Sequence, residues 1–89
     1  ADNVINSGGI KLFPEQIENK LKPFIHSDFY ITSKADELLG QKLILVVEGE
    51  ERSLDFSSAD LTKYQVPKEI IFIPTFSRTE SGKIKRQQF

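Results

Sequence analysis

Apolar residues along this chain fall into short runs and regular intervals, never into one long block. Val4, Ile5, Ile10 and Leu12 flank a Ser7-Gly8-Gly9 break, so residues 2–12 predict two short strands, or one extended ribbon, around a tight turn. Phe13, Ile17 and Leu21 then recur every four residues. Pro14 suits the first helical position and Glu15 the positive end of a helix dipole, so residues 13–22 predict a helix. Pro23 ends it, because the residue before a proline is pushed out of the α region and a proline inside a helix costs about 3 kcal/mol. Residues 28–32, Asp-Phe-Tyr-Ile-Thr, are rich in strand formers. The continuous apolar run of residues 42–47, Lys-Leu-Ile-Leu-Val-Val, predicts a central strand buried on both faces. Between them, residues 35–40 read as a connection with one helical turn, and residues 48–51 as a turn. A second helix is expected from a cap at Ser57 or Ser58 to about Tyr64, stopped by Pro67, followed by a third core strand at residues 69–73. The expected fold class is α+β, a small domain of about three strands and two to three helices.

Composition narrows what such a domain does. At 89 residues one domain is expected, and a chain this short buries only about 60% of the surface it exposes unfolded, which disfavours a deep private active site. Twelve basic residues against thirteen acidic ones leave a formal charge of −1, so no global field draws the chain to nucleic acid or an anionic membrane. Cysteine is absent and His26 is the single histidine. Disulfide frameworks, thiol catalysis and cysteine/histidine zinc sites are thereby excluded, and no metal-ligating residues are assigned. There is no apolar run of membrane-spanning length and no signal-peptide pattern, so the expectation is a cytoplasmic protein with no membrane span.

The chemistry-bearing stretch is residues 78–86, "RTESGKIKR". It is not a P-loop, because that template needs glycine where Ser77 stands and a hydroxyl where Ile84 stands. A basic tip of Lys83, Lys85 and Arg86 could touch nucleic acid, yet no aromatic residue lies within it to stack a base. By itself the stretch reads as a solvated charge run. The other candidates also read structurally: His26 lacks partner ligands, Gly8-Gly9 reads as a turn needing positive φ, and no serine sits in a G-x-S-x-G elbow.

Four segments in order change this picture: "DNVINSGGIKLFPEQIE" (residues 2–18), "DELLGQKLILVV" (36–47), "LTKYQVPKEIIFI" (61–73) and "RTESGKIKR" (78–86). Together they resemble the C-terminal domain of the adenylate-forming enzymes, and within that superfamily the acyl- and aryl-CoA ligases, including the o-succinylbenzoate-CoA ligases of menaquinone synthesis. The resemblance covers nearly the whole chain. It implies that residues 1–89 are a mobile lid, with a large N-terminal domain absent and a hinge at Asp2. It implies an acid-thiol ligase that joins a carboxylic acid to AMP and then, after lid rotation, to CoA, the fragment being inactive alone. Lys83 corresponds to the family's catalytic lysine. Ser7, Gly8, Gly9 and Lys11 correspond to its CoA-binding segment, with Arg78, Thr79, Gly82 and Arg86 supporting the loop. ATP, CoA and Mg2+ are the implied cofactors, ATP and Mg2+ held mainly by the absent domain. Implied partners are that domain, the acid, ATP and CoA, with no nucleic acid. The family usually has proline where Ser77 stands, which implies a less rigid loop here. Two alternatives stay open: a lid charging a carrier protein, and an autonomous nucleic-acid-binding module.

Overall fold

The computed structural model describes residues 3–87 and Phe89. Strands β1 (Ile5–Ser7) and β2 (Ile10–Leu12) form an antiparallel ribbon in which Ile5 faces Leu12 and Ser7 faces Ile10. Gly8 and Gly9 close it with φ of 58° and 82°. Two successive left-handed residues are what the tightest hairpins require, and glycine adopts them at least cost. Helix α1 (Pro14–Leu21) follows, opened by proline as expected. Its buried face is Pro14, Ile17 and Leu21; Phe13 instead takes extended backbone ahead of the first turn and stays 43% exposed, outside the apolar stripe. Residues Lys22–Phe24 continue as one 3-10 turn around Pro23.

The main sheet has the order β3-β4-β5, built from β3 (Phe29–Asp36), β4 (Gly40–Glu48) and β5 (Glu69–Ile73). β3 and β4 are antiparallel, with Phe29 opposite Val47 and Asp36 opposite Gly40, whereas β5 runs parallel to β4. A parallel neighbour needs a crossover, which residues 49–68 supply. Leu43 to Val47 are all buried, as the unbroken apolar run predicts, and period-2 alternation divides them between two layers. Leu43, Leu45 and Val47 join Ile31, Ile17, Leu21, Ile5, Leu12 and Ile25 on the helix side. Ile44 and Val46 meet Tyr30 and Phe76 on the other, with Ile71, Ile73 and Ile84 packed around them.

The α+β class holds, with five strands in two sheets and one α-helix among the described residues. Two expected helical pieces do not form. Around residues 35–40 the strand runs on to Asp36, whose Oδ2 accepts the N–H groups of Leu38 at 3.1 Å and Leu39 at 2.9 Å, so a side-chain-stabilised turn joins β3 directly to β4. Around residues 57–64, Asp55 Oδ1 accepts the Ser57 N–H at 3.1 Å and hydroxyl at 2.8 Å. Short turns follow, from the Ala59 N–H to the Phe56 carbonyl and from the Gln65 N–H to the Thr62 carbonyl. Such local bonds compete with a helical ladder. Leu54, Phe56, Ala59 and Leu61 reach the core from irregular backbone instead.

Candidate active site

Residues 77–85 form a small hairpin. The Arg78–Ile84 bridge and the bond from Lys85 N–H to the Ser77 carbonyl, 2.8 Å, make its stem. At the tip, the Thr79 N–H donates to the Lys83 carbonyl at 2.8 Å and the Gly82 N–H to the Thr79 carbonyl at 2.9 Å. Gly82 has φ of 89°, the left-handed residue that a bulged hairpin turn needs just after its bend. Thr79 Oγ1 accepts the Lys83 N–H at 3.2 Å and lies 3.0 Å from Ser81 Oγ. The backbone of Lys83 is therefore bonded at both ends. Its side chain is exposed, and among the described residues its ammonium makes no ion pair and no hydrogen bond.

The two arginines near the loop are engaged, whereas Lys85 on the stem, like Lys83, is exposed and makes no side-chain ion pair among the described residues. The Arg78 guanidinium grips Glu48 with two bonds, Nη2 to Oε1 at 2.9 Å and Nη1 to Oε2 at 3.0 Å, and reaches Asp28 Oδ2 at 2.5 Å. Glu48 Oε2 also accepts the Phe76 N–H at 2.8 Å. The Arg78 guanidinium, then the Phe76 N–H, hold the Glu48 carboxyl down at about 2 against an ordinary 4.5, and the two carboxylates raise Arg78 further above its own range. Arg86 donates to Glu18 Oε1 at 3.1 Å and lies 5.5 Å over the Tyr30 ring, whose hydroxyl accepts the Gln87 N–H at 2.9 Å. The Tyr30 and Phe76 rings meet with centroids 5.3 Å apart, tilted at 52°.

The sign of the Glu48 shift fixes a pH dependence. A carboxyl whose folded pKa is depressed contributes stability that is fully present above its unfolded value, near 4.5, and is lost as pH falls toward about 2. Chemical denaturation of wild type and Glu48→Gln should therefore show a stability difference that is constant above pH 5 and closes as the solution is acidified from there. A difference independent of pH across that window would remove the carboxylate from the account.

The Ser7-Gly8-Gly9 segment lies at the far end of the β3–β4 pair. The Gly8 N–H donates to the Leu39 carbonyl at 2.9 Å, so the Ser7-Gly8-Gly9 turn sits on the turn joining Asp36 to Gly40. The loop of Arg78 is rooted beside Asp28 and Glu48, at the opposite end. Eight paired residues at about 3.3 Å each separate these ends by roughly 20–25 Å. A Cβ on Gly8 would meet Leu39 Cδ2 at 3.2 Å, while one on Gly9 would meet nothing within 4 Å. Lys11 is exposed on β2, opposite Asn6. Asp2 lies outside the described residues. His26 is exposed. Among the described residues no three carboxylate or histidine side chains converge, and no helix is long and apolar enough to cross a membrane.

No family model matches the chain. Curated relatives include a 3-oxocholest-4-en-26-oate–CoA ligase of Rhodococcus rhodochrous, 33% identical over 88 positions covering 89% of this chain, and a 2-succinylbenzoate–CoA ligase of Bacillus cytotoxicus, 33% identical over 93 positions covering 97%. Among solved structures, an AMP-forming acyl-CoA synthetase/AMP-acid ligase II-like protein from Dyadobacter fermentans superposes with a TM-score of 0.83 at 33% identity, covering 97% of this chain and 28% of that one. Over most of its length the chain is homologous to acyl- and aryl-CoA ligases. It spans only 16% and 19% of the two curated ligases named.

In this ligase homologue two sets of residues escape a sequence reading. Asp28 and Glu48 anchor the loop from 50 and 30 positions away. Lys63, Tyr64 and Lys68 gather with Ser7, Gly8 and Leu39 around a cavity of about 280 Å³ beside the glycine turn. The only sequence signal for the second set is the Lys-Tyr pair inside "LTKYQVPKEIIFI", where a helix is the competing expectation.

Proposed function

We propose that this chain is the mobile C-terminal lid of an AMP-forming carboxylic acid:CoA ligase, with Lys83 as the catalytic cation of acyl-adenylate formation. The observation supporting this most directly is the contrast between a loop backbone pinned on both sides and one exposed, unpaired ammonium at its tip. In the first half-reaction a carboxylate oxygen bonds to the α-phosphorus of ATP and pyrophosphate leaves. Two anions must approach, and charge builds on the transferring oxygens. Two unit charges about 4 Å apart interact by about 4 kcal/mol at an effective dielectric near 20, enough for a factor of 10² or more in rate. Lys83 has the reach and freedom to deliver that charge, and its side chain stands exposed. The cavity belongs to a preceding domain, which holds most of the ATP and Mg2+ contacts, and the isolated lid has no reaction of its own.

In the second half-reaction the thiol sulfur bonds to the acyl carbon and AMP leaves. Gly8 and Gly9 present bare backbone there, where the narrow arm of CoA passes closely, and Ser7 flanks it. Lys11, Lys63 and Lys68 supply positive charge at the same end for the phosphates of CoA, with Tyr64 as an apolar wall. Asp2 is the hinge between the two arrangements.

Two measurements on the full-length enzyme test this reading. Asp2→Pro should leave ATP–pyrophosphate exchange intact and lower thioester formation about tenfold or more; an unchanged second step removes the hinge role. Turnover of the acyl-adenylate with free CoA, and none with a phosphopantetheinyl carrier protein, is the expected acceptor result. The reverse assigns the chain to a carrier-charging adenylation enzyme.

A further inference from the structure

Arg78 pairs with Ile84 in the stem that carries Lys83, yet both terminal nitrogens of its guanidinium bond to carboxylates at the sheet end. Its two carboxylate partners stand at the same end of the β3–β4 pair. Glu48 terminates β4, the strand buried on both faces, and Asp28 directly precedes β3, its carbonyl accepting the Glu48 N–H at 2.9 Å. One Glu48 oxygen, Oε2, takes both the Arg78 Nη1–H at 3.0 Å and the Phe76 N–H at 2.8 Å, so a single carboxylate fixes the chain on entry to the hairpin and its first stem residue together. A forked guanidinium–carboxylate pair fixes direction as well as distance, which a lysine in place of Arg78 could not do. The clamp engages the Arg78 charge with Glu48 and Asp28, while Lys83 at the tip is exposed and has no ion-pair partner among the described residues.

We infer that Glu48, with Asp28, is a positioning residue for adenylation: it locks Arg78 to the sheet and thereby aims the hairpin that presents Lys83, without touching substrate itself. The inference rests on the catalytic reading of Lys83 for its consequence, but not for its structural half. Misplacement of a reacting group by about 1 Å costs on the order of 100-fold in rate, so loosening the base of a short hairpin is enough to matter.

The structural half is tested by NMR relaxation on this 89-residue chain. In Glu48→Gln and in the milder Arg78→Lys, amides 79–83 should lose order while the amides of β4 keep wild-type order parameters. Unchanged order at the tip, or loss of order throughout the sheet, overturns the inference. The catalytic half is tested in the full-length ligase by ATP–pyrophosphate exchange with octanoate, indoleacetate and 2-succinylbenzoate as probe acids. Both variants should lower kcat about 10- to 100-fold with the KM for ATP held within about twofold. In a Lys83→Ala background Glu48→Gln should cost nothing further, because a group that acts through the ammonium has nothing left to aim. A raised KM for ATP with kcat intact would make Arg78 a nucleotide contact, and full additivity with Lys83→Ala would make the clamp merely structural; either overturns the positioning role. If Lys83→Ala alone leaves exchange unchanged, the catalytic reading of Lys83 fails and takes the positioning role with it, while the NMR result still decides whether the clamp orders the hairpin.

Discussion

Lys83→Ala in the full-length enzyme should lower acyl-adenylate formation by about 100-fold or more while sparing thioester formation from supplied acyl-adenylate. The magnitude follows from removing one positioned charge where two anions meet. The selectivity follows from the position of the lysine: it stands at the end of β3–β4 away from the glycine turn. The fold should be indifferent, since the side chain is exposed and unpaired and the hairpin is closed by backbone bonds that alanine retains. Pyrophosphate exchange and single-turnover thioester formation, measured side by side, check both halves. Equal loss of the two steps would refute the assignment.

The complementary result is expected of Gly9→Leu. Among the described residues, no atom beyond its chain neighbours lies within 4 Å of a Cβ added there, so the new side chain would project into the space proposed for the thiol arm. Thioester formation should fall about 100-fold or more while pyrophosphate exchange changes less than about twofold. The φ of 82° at Gly9 adds a strain of about 1–2 kcal/mol for any residue with a Cβ. Gly9→Ala carries the same strain with little bulk and separates the two effects: if alanine and leucine impair the second step equally, the turn's shape matters and the open channel does not. Gly8 is a poorer probe, because its Cβ would press on Leu39 and disturb the fold itself.

Much of this architecture is legible in local chemistry. A Gly-Gly pair between β-branched residues can do little but turn, Pro14 can only open a helix, and an unbroken Leu-Ile-Leu-Val-Val run must be covered on both sides. The hairpin glycine, Gly82, is legible for the same reason. Legibility ends where partners are distant. Nothing near Glu48 announces that it will hold Arg78 thirty positions later, because an ion pair across a sheet leaves no periodic trace in the sequence. The same holds for Lys63 and Lys68, whose closeness to Gly8 is created by the crossover of residues 49–68. The expected second helix fails for an opposite reason. Ser57 and Ser58 are good caps, but Asp55 takes the Ser57 N–H first, and the following apolar residues reach the core from turns.

The stiffness of the β3–β4 pair has a kinetic meaning. A bar of fixed length with one working tip at each end cannot seat both tips in the same cavity, so each visit by one excludes the other. Under the lid role proposed above, turn-taking would follow from the chain's own dimensions: pyrophosphate would depart before the thiol is admitted.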